Sequence, residues 1–126
     1  MSTIYEGEPI TTAAYLVKPE GTPYLISEIS SWSVYIYDLA TQALVYSLTG
    51  QAPVAIGAGG QFSNSAINDG SWPYGPPGYT FKNMILGGAF NHEGGHTLQI
   101  EYVIVTVSFG SVVFTQQVEI LPLLSS

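Results

Sequence analysis

Two long runs, Thr97–Val107 (TLQIEYVIVTV) and Ser111–Leu121 (SVVFTQQVEIL), constrain this chain more than any other feature. In the first, Leu98, Ile100, Tyr102 and Ile104 fall on one side of a period-two pattern. Gln99, Glu101, Val103 and Val105 fall on the other. Successive side chains of a strand point to opposite faces, whereas a helix repeats about every 3.6 residues, so the alternation predicts strands. Only Ser108-Phe109-Gly110 separates the two runs, a connection short enough to make them an antiparallel hairpin. Such a hairpin buries one face against a second layer.

The rest of the sequence reads the same way. Ile10–Val17 is a first strand, closed by the turn cluster Lys18-Pro19-Glu20-Gly21-Thr22-Pro23. Ser27–Ser30 reads as a short turn. Ser31–Leu39 (SWSVYIYDL) is a strand with Trp32, Val34 and Ile36 on one face and Tyr35 and Tyr37 on the other. Ala40-Thr41-Gln42 closes a hairpin to Ala43–Leu48, where Leu44, Tyr46 and Leu48 alternate and Gly50 ends the strand. Residues 50–78 are rich in glycine and proline and predict an extended loop, with short strand-like runs at Pro53–Ile56 and Gln61–Phe62. Tyr79–Leu86 returns to strand character. The expectation is one all-β domain over residues 1–126, an antiparallel immunoglobulin-like β-sandwich of about 6–8 strands with one long loop.

Charge narrows the function. Charged residues make up 9% of the chain, against a typical value of about 25%. There are two lysines, no arginine and nine acids, for a formal net charge of −7. A nucleic-acid surface needs a basic patch, and an anionic membrane surface needs the same, so neither partner is expected. At 46% hydrophobic the chain is not a disordered tail. The absence of cysteine excludes disulfides and thiolate metal sites. The opening Met-Ser-Thr-Ile-Tyr-Glu-Gly-Glu-Pro has neither a basic nor an apolar leader region, so no secretory signal is expected.

One string spells out chemistry. His92-Glu93-Gly94-Gly95-His96 matches the zinc-protease pattern H-E-x-x-H and holds both histidines. That pattern needs a helix, where positions i and i+4 share a face and two imidazoles reach one metal. Here two glycines intervene, each costing a helix about 1 kcal/mol, and a strand follows at once. The string therefore reads as a strand-connecting turn, and His92 and His96 remain only as candidates for a loop metal site with a carboxylate such as Glu93. No catalytic residue and no cofactor are expected. His92 and His96 are the groups expected to titrate near neutral pH.

Aromatics point elsewhere. Nine tyrosines beside two lysines is the composition of an interface, which favours Tyr and Trp over Lys and Glu. Trp32 reads as a core residue between sheets. Trp72 and Tyr74, in Ser71-Trp72-Pro73-Tyr74-Gly75-Pro76-Pro77, read as contact residues, as do Tyr35 and Tyr37. Glu101 and Glu119 lie on outward-reading strand faces. Several strands are apolar on both faces with almost no lysine to protect their edges, so part of the surface is expected to be covered by other chains.

Certain landmarks resemble the immunoglobulin-like accessory domains of tailed-phage virions. They are Tyr5-Glu6-Gly7-Glu8-Pro9-Ile10, Gly21-Thr22-Pro23, Ile29-Ser30-Ser31 through Val34-Tyr35-Ile36-Tyr37-Asp38-Leu39, Pro77-Gly78-Tyr79-Thr80-Phe81, and Gly95-His96-Thr97-Leu98-Gln99-Ile100-Glu101-Tyr102. In the last, Thr97 or Leu98 stands where an aromatic is commoner. The 50–78 stretch has no counterpart. The resemblance implies a non-enzymatic virion protein, foremost a capsid cement or decoration protein on the outer capsid surface, bound to the major capsid protein and to itself as a homo-oligomer. A tail, baseplate or head–tail accessory domain is the alternative. A carbohydrate-binding module built on Trp72 and Tyr74 is the alternative of another class, and a metal-dependent hydrolase the last.

Overall fold

The structure, a computed structural model, describes residues 2–69, 78–85 and 95–122. Among these residues eight strands run in chain order: β1 Ser2–Tyr5, β2 Ile10–Ala14, β3 Ile29–Asp38, β4 Ala43–Gln51, β5 Phe62–Ile67, β6 Tyr79–Ile85, β7 Thr97–Thr106 and β8 Ser111–Leu121. Short 3-10 turns lie at Ile26–Glu28 and Ile56–Ala58. One sheet has the order β1-β8-β7-β3-β4 and the other β2-β6-β5. Among the described strands, every strand-to-strand pairing is antiparallel except that of β1 with β8.

The period-two pattern sets the two faces. Leu98, Ile100, Tyr102 and Ile104 of β7 are buried, as are Trp32, Val34 and Ile36 of β3. They meet Phe81 and Ile85 of β6, Phe62 of β5 and Ile10 of β2 in one core. Its centre is aromatic. Phe81 lies edge-on to Trp32, Tyr102 and Phe114 at 5.8, 5.2 and 5.9 Å, and 5.0 Å from Phe62. Truncating such a ring to alanine costs about 3–5 kcal/mol, because the surroundings relax only partly into the void. Trp32 is thus the inter-sheet tryptophan its pattern predicts, although its indole N–H has no acceptor among the described residues. A polar thread crosses the same layer: Asn83 Nδ2 donates to the Tyr102 hydroxyl at 3.1 Å, and Thr12 Oγ1 to Gln116 Oε1 at 2.7 Å. Burial pushes the Tyr102 phenol up, against hydrogen bonds from Asn83 and Thr12 that pull it down.

Several expected boundaries move. β3 begins at Ile29 rather than Ser31, directly after the 3-10 turn, so the strand takes two residues of the expected Ser27–Ser30 turn. The strand expected over 10–17 stops at Ala14, and Val17 makes only an isolated bridge to Pro23 across the turn. β1 is a strand the pattern did not predict. Gly50 does not end β4. It takes a left-handed φ of 63°, accommodated as a bulge between the pairs Trp32–Gln51 and Val34–Leu48, and its N–H donates to Ser33 Oγ at 3.1 Å. A second bulge at Val45 shifts the phase of β4. Tyr46 and Leu48 sit opposite inward Ile36 and Val34, but Leu44 sits opposite outward Tyr37 and is 51% exposed. The expected common face of Leu44, Tyr46 and Leu48 is therefore broken. Within 50–78, the run at Gln61–Phe62 lengthens into β5.

Candidate protein interface

The outer face of the five-stranded sheet carries the tyrosines singled out by sequence. Register places its residues on a lattice. Tyr35 of β3 pairs with Glu101 of β7, which pairs with Thr115 of β8. On one side lies the row Ser33, Val103, Val113, and on the other Tyr37, Gln99, Gln117. Beyond the first side, Ser31, Val105 and Ser111 continue the face. Leu44 extends it at the β4 edge beside Tyr37. Tyr35, Tyr37, Glu101, Val103 and Val105 are half-buried, whereas Val113 is 56% exposed. Neither lysine reaches this face. Lys18 is held by Glu28 at 3.0 Å and Glu20 at 3.5 Å, and Lys82 lies over the Tyr79 ring at 5.6 Å.

The four longer strands are about 10 residues each. At about 3.4 Å per residue and about 4.8 Å between strands, their face measures roughly 600 Å² flat. That is close to the area of about 800 Å² that each partner gives a standard protein interface. The face mixes apolar and aromatic side chains with small polar ones, and tyrosine is favoured on such surfaces because its ring is amphipathic. Residue order alone showed Glu101 pointing outward. Its place at the lattice centre needed the β3–β7–β8 register.

His96 lies elsewhere, at the end of the sandwich where β7 begins. Its Nδ1 is 2.6 Å from Asp38 Oδ2. A carboxylate only accepts, so Nδ1 carries the proton between them. Asp38 Oδ1 accepts the Ala40 N–H at 2.9 Å, capping the β3–β4 turn. Burial raises the Asp38 carboxyl, but the N–H groups of Ala40 and Thr41 together with His96 outweigh it and hold it below the ordinary range. Among the described residues no three His, Asp or Glu side chains gather as a metal site would require. His92, Glu93 and Gly94 of the H-E-x-x-H string lie outside the described residues, as do the contact candidates Trp72 and Tyr74.

A half-open groove of about 370 Å³ lies between the β4 edge and β6, lined by Trp32, Tyr46, Leu48, Gln51, Gln61, Met84 and their neighbours. Among the described residues its lining has no carboxylate, imidazole or lysine. It offers amides, the Tyr46 phenol and apolar surface. Compared with protein-family models, curated proteins and solved structures, the chain matches none of them.

Proposed function

We propose that this immunoglobulin-like sandwich is a non-enzymatic structural protein of a tailed-phage virion, a capsid cement protein that binds across neighbouring capsid subunits. The observation that carries the assembly role is the outer face of the five-stranded sheet. Tyr35, Tyr37, Leu44, Val103, Val105 and Val113 share this face around Glu101, with Ser33, Gln99 and Thr115 among them and no lysine on it. Exposed patches of this kind mark docking sites. The phage placement rests on the order of sequence landmarks. A net charge of −7 suits an outward-facing position, away from packaged DNA.

In mechanism the chain acts as a clamp. One sheet face, held together by the β3–β7–β8 ladders, spans two subunits and stabilises the pair by the area it removes from water. Purified heads and tails from the source virus provide the test. The protein is expected to co-sediment with heads, and Val103→Asp is expected to release it while leaving its circular dichroism unchanged. A pool that stays soluble would sink the reading, and association with tails alone would sink the capsid position.

A further inference from the structure

We infer that this outer face docks a protein surface presenting an arginine side chain, and that Glu101 is the residue that receives it. The inference rests on the reading of the face as a protein interface and names the chemistry of what covers it.

Glu101 occupies the centre of the lattice, with Tyr35 and Thr115 directly across and Val103 and Gln99 two positions along its own strand. Among the described residues its carboxylate has no hydrogen-bond or ion-pair partner. A partner that covered the face with apolar side chains alone would bury an uncompensated charge, which is strongly unfavourable. The lattice therefore selects a partner that brings a cation to its centre.

A second copy cannot supply it. The chain has no arginine, Lys18 is engaged by Glu28 and Glu20, and Lys82 lies on β6 of the opposite sheet against Tyr79. A two-fold contact through this face would set Glu101 against its own copy, between two bodies of net charge −7. The expected self-association does not run through this surface, and the occupant is a different, cationic protein.

The neighbours favour arginine over lysine. A guanidinium is planar, forks onto a carboxylate and stacks on an aromatic ring, and Tyr35 stands directly across the strand pair from Glu101. Val103 and Val113 offer apolar surface for the methylene stem. Lysine would use the charge and leave the ring unused.

Two experiments decide this. In the first, the intact protein is titrated with an N-acetylated tripeptide amide carrying arginine between leucine and valine, followed by amide chemical shifts in NMR. The same peptide with citrulline, the uncharged analogue of arginine, is the control. The arginine peptide is expected to move the amides of Tyr35, Glu101 and Val103, with the citrulline peptide about tenfold weaker and Glu101→Gln abolishing the difference. Equal responses to both peptides, or a wild-type response from Glu101→Gln, would overturn the inference. The second compares wild type and Glu101→Gln in co-sedimentation with purified heads. Loss of binding by the variant alone supports both proposals. Equal binding overturns the arginine receptor and leaves the cement reading standing. No binding by either overturns the cement reading, while the peptide titration still decides the role of Glu101.

Discussion

Asp38 shows how much one side chain does at the sandwich end. Its two oxygens accept from Ala40 N–H and face His96 Nδ1, and its own carbonyl accepts from Gln42 N–H at 2.6 Å. Gln42 takes a left-handed φ of 61°, so the β3–β4 turn is tight and depends on this cap. The Asp38 carboxyl is lowered in the folded state, so its contribution is full above the unfolded-state value and is lost as pH falls through the folded one. Thermal unfolding followed between about pH 6 and pH 2 should show the wild-type melting temperature falling as Asp38 protonates. Asp38→Asn should begin lower and fall less over that window. Parallel curves for the two proteins would refute the coupling. The inward and outward faces of β3 and β7 were legible in sequence because period two is a local property. The His96–Asp38 pair was not, because 58 residues separate its members and only the β3–β7 register brings them together.

At the scale of elements, the long ladders could be read and the irregular ones could not. β7 and β8 alternate without interruption, so their pattern and their pairing agree. β4 carries two bulges, and each one shifts which side chains face inward, so its sequence pattern misassigns Leu44 and stops the strand at Gly50. β5 hides among glycines and small polar residues (SNSAI after Phe62), where hydrophobic periodicity is weak. The chain before it turns tightly: a Cβ built on Gly60 would lie 2.1 Å from the Val54 carbonyl oxygen. Gly60→Ala must therefore push the 54–62 turn off Phe62, at an expected cost of about 2 kcal/mol. Gly50→Ala meets open space and pays only for its left-handed backbone, about 1 kcal/mol. Urea midpoints for the two variants check the order. A Gly60 variant no weaker than the Gly50 variant would show that the turn yields freely.

For the whole molecule, the sandwich class followed from strand number and spacing, whereas the assignment of strands to sheets did not. β1 is the clearest case. Ser2–Tyr5 is too short to show a period, and it is a strand because β8, more than a hundred residues away, offers it an edge. That pairing is parallel, with Ser2 beside Val118 and Tyr5 beside Leu121. Its direction has a mechanical consequence. Tension drawn across Ser2 and Leu121 pulls the two strands along their own axes in opposite senses, so the ladder slides as a unit and its hydrogen bonds resist together. An antiparallel end pair pulled the same way would peel one bond at a time. Single-molecule stretching between these positions should give one high-force rupture, and Thr3→Pro, which removes an N–H from β1, should lower it. A low, gradual extension of the unmodified protein would contradict this geometry. A domain fastened in this way withstands strain transmitted through β1 and β8.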